Sequence, residues 1–407
     1  QFHTGRELTS DDVKYNILRA RDPKTGAAQM VTMSNWWSDI QTPDKYTVVL
    51  ASDQPRPAAF DFLEYLNIID SVTADGPNAA TTLVGTGPFT LVEWATGDHL
   101  TLSKNPHYWQ SGAPYLDQVV FQIGRDQQAI ITQLEAGAID AMEAPPVTDA
   151  IRLRADPAYT LTVNPNTGGY NAVLANTSVP PLDNKQVRQA LNYAINRQRF
   201  VTSVLHDLGT AEDLVWPTGS PAYEAAKNSR YAFDLDRARQ MLATAGVSSL
   251  ALDLTYVSAN SAFAQLAQMY QADLASIGVT VTLKPVDSAV WSQMTPKAQY
   301  QGLNLAPGGF AQVQPTTFFL FSVYWLLQNN AEAFDSDEYR QLISAAGKET
   351  DMARRKQLFS ELNDFVLDQS FVMLINSNPE TFLARGNLHG QTYNMHQGLT
   401  MHQLWKS

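Results

Sequence analysis

Between residues 85 and 140, turn residues and apolar runs alternate in an order that few architectures accommodate. Gly85-Thr86-Gly87-Pro88-Phe89 opens the stretch and Lys104-Asn105-Pro106-His107-Tyr108-Trp109 interrupts it. Pro114-Tyr115-Leu116-Asp117 follows, and Leu134-Glu135-Ala136-Gly137-Ala138-Ile139-Asp140 closes it. Glycine and proline act as punctuation, so residues 100–102 and 119–123 between them read as strands. Residues 127–135 read as a helix, with Ile130, Ile131 and Leu134 on one face and Gly137 to stop it. The order strand, loop, strand, helix calls for an α/β chain.

The same logic extends along the chain. Thr9-Ser10-Asp11-Asp12 offers a hydroxyl to cap a helix and acids where its dipole favours them, and Val13, Ile17 and Ala20 then share a face. Residues 46–50 form a β-branched strand that Pro55-Arg56-Pro57 ends. Val187, Ala190, Leu191, Ala194 and Ile195 have helical spacing, and Asp234 to Gly246 reads as a capped helix closed by glycine. Residues 252–257, 263–277 and 279–283 then give strand, helix, strand, a βαβ unit; residues 371–375 are a buried strand. A chain of 407 residues is too long for one core and splits into two or three lobes. The polar, aperiodic residues 71–84 mark a lobe boundary. No internal repeat or low-complexity tract is present.

Composition removes several function classes. Net charge is −12 and no Lys/Arg block exists, so there is no basic stripe to neutralise the phosphates of a nucleic acid. No apolar run reaches the ~18 residues of a membrane-spanning helix. With no cysteine, disulfides, thiol catalysis and thiolate metal sites are absent together. Gly-x-Gly-x-x-Gly and Walker sequences are missing, and no cofactor is called for.

The four motifs between 85 and 140 resemble, in order and spacing, the peptide/nickel/opine family of solute-binding proteins that feed ABC importers. The resemblance covers essentially the whole chain. Asn176-Thr177-Ser178-Val179-Pro180-Pro181-Leu182-Asp183-Asn184 and the helix beginning Val187-Arg188-Gln189-Ala190 look like a second landmark, with Asn196 where the family has Asp. Leu208-Gly209-Thr210-Ala211, Trp216-Pro217 and Leu404-Trp405 continue the pattern. The resemblance implies a two-lobed periplasmic-binding-protein-like fold (type II, cluster C) with an inserted extra region. Residues 1–13 look like an internal segment of the family, so the expected chain is N-terminally truncated and carries no signal peptide. Residues 1–82 then belong to the inserted region, 83–175 with 391–407 to lobe one, and 176–390 to lobe two. A sheet edge left exposed by the missing strands favours a homodimer.

The implied function is capture of a small oligopeptide-, opine- or sugar-like solute between two closing lobes, for an ABC importer's membrane subunits. The place is periplasmic or extracytoplasmic. An aromatic wall with a few polar groups suits such a solute, and the candidates are Trp36, Trp37, Tyr170, Asn171, Trp216, Trp291, Phe310 and Trp325. Peptide-binding members carry an acid that pairs with the peptide ammonium. Here the corresponding Ala306-Pro307-Gly308-Gly309-Phe310-Ala311-Gln312-Val313-Gln314-Pro315 has none. A buried unpaired ammonium costs several kcal/mol, so a neutral, sugar-like or acylated solute is expected over a free peptide.

His389, His396 and His402, like His99 and His107, lack the i, i+4 spacing of a helical metal site, and no metal is expected. The alternative class is a hydrolase on the same scaffold, a serine-type deacetylase or esterase acting on small acylated sugars. No Gly-x-Ser-x-Gly, Ser-x-x-Lys or His-Glu-x-x-His motif supports it. His206-Asp207 and Asp98-His99 are the pairs it would draw on, with its catalytic residues otherwise unidentified.

Overall fold

The computed structural model describes residues 1–407 except 75, 77–80, 125, 312 and 395–397, and the side chains of 28 and 165–167 are left aside. The chain divides into two compact units, 1–163 with 381–407 and 164–380.

Unit 1 begins with α1 (Ser10–Arg21), where Thr9 N–H donates to the Asp12 carboxylate at 3.0 Å in a capping box, the start that the Thr-Ser-Asp-Asp run predicts. Helix α2 (Ala28–Ser34), the hairpin β1 (Asp39–Asp44) and β2 (Thr47–Ala51), and α3 (Ala59–Tyr65) follow. Arg6 ties this region together by pairing with both Asp12 and Asp70. The predicted strands then appear in β3 (Phe89–Ala95), β4 (His99–Lys104) and β5 (Gln118–Gln122), an antiparallel meander with a bulge between Leu91 and Glu93. Helix α4 (Gln127–Ala136) is capped by Asp126 and stopped by Gly137 at φ 75°, the left-handed conformation that glycine adopts without penalty. After β6 (Ala141–Glu143) and α5 (Val147–Arg154), the inward residues Ile131, Leu134, Met142 and Leu153 pack with Leu383 from the far end of the chain. Each such side chain contributes about 1.5–3 kcal/mol by leaving water.

Strand β7 (Tyr159–Ala175) carries the chain out of unit 1. Unit 2 continues with α6 (Lys185–Tyr193), α7 (Arg197–Ser203), the short β8 (Thr210–Ala211) and α8 (Leu235–Thr244). The predicted βαβ unit is present as β9 (Leu250–Val257), α9 (Ser261–Ser276) and β10 (Val279–Val286), with the two strands parallel and in register from Val279–Leu250 to Val286–Val257. Next come α10 (Ser288–Met294), β11 (Gly302–Gly308), α11 (Pro315–Phe321), α12 (Asp337–Lys348) and α13 (Met352–Gln369). Strand β12 (Val372–Arg385) then leads back into unit 1, where β13 (Leu388–His389) pairs with β14 (Trp405–Lys406). The unit 2 sheet runs β10-β9-β11-β7-β12, with β8 beside β12. Because β9, β10 and β11 are mutually parallel and β7 lies antiparallel to β11, this sheet is mixed, with helices supplying its crossovers. Among the described residues no helix is long and apolar enough to cross a membrane.

Candidate functional site

The end of β11 in unit 2 concentrates the unusual geometry. Gly308 lies against the Tyr170 ring: a Cβ built on it would fall 2.0 Å from Tyr170 Cζ, so no larger residue fits. Two residues on, Phe310 holds φ +71°, costly for an aromatic residue, and leaves 41% of its surface exposed. Its ring rests on Phe321, centroids 5.4 Å apart. The chain thus accepts backbone strain to present an aromatic face at its surface. Among the described residues of 306–315 no acid is present, and Gln312 lies outside them.

Tyr170 is buried, its hydroxyl hydrogen-bonded with Ser322 Oγ at 2.9 Å and accepting from Trp325 Nε1 at 2.9 Å. Trp325 itself packs edge-on to Phe371 and against Phe318. Trp216 is enclosed too, edge-on to Phe318 and Phe319, with its indole donating to Asn363 Oδ1 at 2.7 Å. Trp291, half-buried, donates to Asn304 Oδ1 at 2.9 Å, and Asn304 in turn donates to Thr295 Oγ1. Unit 2 therefore gathers Tyr170, Trp216 and Trp325 in one aromatic cluster around Phe318, while Phe310 pairs with Phe321. In unit 1, Trp37 is buried against Phe62 and Trp36 is half-buried under the Arg56 guanidinium, 5.4 Å from ring to charge.

Asn171 belongs to a polar group that the sequence reading did not assemble. Its amide donates to Asn376 Oδ1 at 3.1 Å and Asn378 Oδ1 at 2.9 Å, and Asn378 returns a bond at 3.0 Å. Asn376-Ser377-Asn378 follows directly on the apolar run 371–375, and that switch to polar residues inside one strand was the available signal. Beside them, Glu212 follows β8, which pairs with Asn376 and Ser377. Burial pushes the Glu212 carboxyl up to about 7, against the hydrogen bonds from Asn228 and Ser377. The neighbouring Asp213 is also raised by burial, and it pairs with the buried Arg197 at 2.9 Å.

Among the described residues no cluster of metal-ligating side chains occurs. His389 stacks on Trp405, His402 faces Tyr108, and His396 lies outside the described residues. The hydrolase pairs do not form a triad among the described residues. His99 bonds Asp98 at 2.7 Å and Glu93, while Asp207 accepts from Thr202. A Ser–His hydrogen bond does occur, His389 Nε2 with Ser407 Oγ at 3.2 Å, but it is exposed. Nothing favours the hydrolase reading.

The architecture is that of the two-lobed periplasmic binding proteins. AgaA of A. tumefaciens R10, solved in complex with agropinic acid, superimposes with a TM-score of 0.83 at 26% identity, covering 100% of this chain and 85% of that one. NikA of Brucella suis gives a TM-score of 0.85 over 100% and 86%, a likeness of fold at 18% identity. In sequence, the peptide transport periplasmic protein SapA of Salmonella typhimurium is 36% identical over 213 residues, 50% of this chain and 37% of SapA. A putative ABC transporter peptide-binding protein of Brucella ovis is 28% identical over 73% of this chain and 58% of its own length. The chain thus spans less than two thirds of these relatives. The glutathione-binding protein GsiB of Salmonella paratyphi A is 26% identical over 91% of this chain and 74% of GsiB. Residues 1–332 match the family described as bacterial extracellular solute-binding proteins, family 5 middle, and the chain belongs to that family.

Proposed function

We propose that this protein binds a small solute reversibly and without covalent chemistry, outside the cytoplasmic membrane, and delivers it to the membrane subunits of an ABC importer. Family membership across residues 1–332 is the observation that carries this reading. The solute wall in unit 2 is the strained loop at Gly308–Phe310, together with half-buried Trp291 and with Asn171, which is largely buried opposite Pro307 on the adjacent strand. Trp36 is the corresponding aromatic of unit 1. Residues 1–82, 83–175 with 391–407, and 176–390 are taken as the inserted region and the two lobes.

The solute is neutral, sugar-like or acylated, an opine only where its nitrogen is acylated, rather than a free peptide. An aromatic surface without an acid offers stacking but no partner for an ammonium, which would then pay its full desolvation cost. The opine complex of AgaA, at 26% identity, supports this direction; the peptide and glutathione names of other relatives oppose it. A thermal-shift screen of opines, acylated sugars, free peptides and their N-acetyl forms tests it. Acylated sugars, N-acylated opines or blocked forms should raise Tm, and Phe310→Ala should weaken the response about tenfold or more, the loss of one stacked ring. Stabilisation by free peptides but not by their acetylated forms would overturn the solute class, and no response to any of them would overturn the loop assignment.

A further inference from the structure

Glu332 stands in the loop between α11 and α12 and is fully buried, 0% exposed. Neither carboxyl oxygen has a hydrogen-bond partner, and the hydroxyl of buried Tyr300 nearby has none either. A carboxylate in that position is far too costly without a counter-charge, since each unpaired buried ion costs several kcal/mol. Among the described residues no cation pairs with it. The titratable groups that feel its charge are the hydroxyls of Tyr170, Tyr300, Tyr324 and Tyr339, from four different parts of unit 2. The charged residues closest along the chain are occupied elsewhere or exposed: Asp335 pairs with Arg340, and Lys297 faces solvent.

Three of those four hydroxyls already hold structure. Tyr324 donates to the Pro307 carbonyl at 2.9 Å, fixing the end of β11. Tyr339 donates to the Trp325 carbonyl at 2.8 Å. Tyr170 joins Ser322 to the Trp325 indole. Thr177 clamps the Glu332 carbonyl with its N–H at 2.8 Å and its Oγ1 at 3.0 Å, so the backbone at 332 is held in place.

We propose that Glu332 is a proton-dependent latch: as a neutral acid it leaves these hydroxyls on their partners, and on ionising it draws them away and loosens residues 323–334 together with the end of β11. The competition is physical. A carboxylate accepts a charge-assisted hydrogen bond about twice as strong as a neutral carbonyl does, so hydroxyls that feel its charge transfer to it. The step balances as loss of one proton to solvent and exchange of hydroxyl donors from Pro307 O and Trp325 O to the Glu332 oxygens. Burial pushes the Glu332 carboxyl well above the usual carboxylate range, so the latch is closed below that raised value and opens above it. The inference rests on unit 2 alone and stands whether or not the Gly308–Phe310 loop touches solute.

Hydrogen exchange read by mass spectrometry on the whole chain, from about pH 5 to about pH 9 and corrected for the intrinsic pH dependence of exchange, tests it. Wild type should lose about tenfold or more of its protection in 323–334 as pH rises, while Glu332→Gln keeps that protection throughout. The same loss in Glu332→Gln would overturn the proposal. Should that variant not fold, infrared spectroscopy of wild type serves instead. The carbonyl band of a protonated acid should vanish over the pH interval in which protection falls. Absence of the band at every pH, or its loss without any loosening, would overturn the latch. Recovery of protection at high pH by sodium or potassium chloride, but not choline chloride, would also overturn it by placing a metal cation where the proton is assigned.

Discussion

Glu212 keeps its proton to about pH 7, and its consequence for stability has a definite sign. Below the ordinary carboxyl range, folded and unfolded chains both hold the proton and the folded state is favoured in full. As pH rises, the unfolded chain releases the proton first, so stability falls until the folded carboxyl also ionises near 7. The loss from this residue is on the order of 3 kcal/mol, for a group whose side chain is largely withdrawn from water. Urea denaturation of Glu212→Gln between about pH 4 and pH 8 should lack this decline, and the variant should be the more stable protein at pH 8. An unchanged slope would mean that Glu212 is already ionised in the fold. At this scale the sequence was least legible. Trp216 and Phe310 are both aromatics on an apolar background, yet one is enclosed at 2% exposure and the other is turned outward by a positive φ. Only the packing of Phe318 and Phe321, distant in the chain from Trp216, separates the two cases.

Elements were easier to read where their boundaries are chemical. The α4 stop at Gly137, the Asp234 cap of α8 and the parallel pair β9–β10 follow from capping residues and periodicity visible in the chain. The apolar spacing over 187–195 predicts one helix through Ile195, but α6 ends at Tyr193 and α7 starts afresh at Arg197. Asn196 is the reason: its side chain accepts from Arg199 N–H at 3.0 Å as the new N-cap. That also accounts for Asn standing where Asp is usual, since both residues cap. Asn196→Asp should change stability by a few tenths of a kcal/mol and Asn196→Ala should cost about 1 kcal/mol, measured by thermal unfolding. Equal losses in both would count against a capping role. Strand β7 was not legible, and of β12 only the buried opening over 372–375 was. Pro165, Gly168 and Gly169 break the pattern of the first, and Asn376 to Asn378 with Pro379 break the second. Their continuity comes from pairing with distant strands, which no local pattern records.

For the whole molecule, the two units differ in how the chain supplies them. Unit 2 is the unbroken stretch 164–380 with its own aromatic core, whereas unit 1 combines 1–163 with 381–407. Leu383 completes the Ile131, Leu134, Met142 and Leu153 cluster, Lys406 pairs with Asp140 at 2.8 Å, and Arg385 N–H donates to the Asp140 carbonyl. A fragment of residues 164–380 should therefore melt cooperatively by circular dichroism, as a segment holding a complete core does. A fragment of residues 1–163 should not, until a peptide of residues 381–407 is added. A cooperative transition in 1–163 alone would show that the returning segment is dispensable.

The split composition of unit 1 also sets a timetable. During synthesis, residues 1–163 leave the ribosome before unit 2, yet the segment that closes their core is made only after all of unit 2. At the ordinary pace of roughly 5–20 residues per second, the 218 residues from 164 to 381 (381 − 164 + 1) keep unit 1 waiting on the order of ten seconds or more. The unit that emerges earlier of the two is thus the later to become stable, and through that interval it stays slack enough to be threaded, held by a chaperone or cleaved.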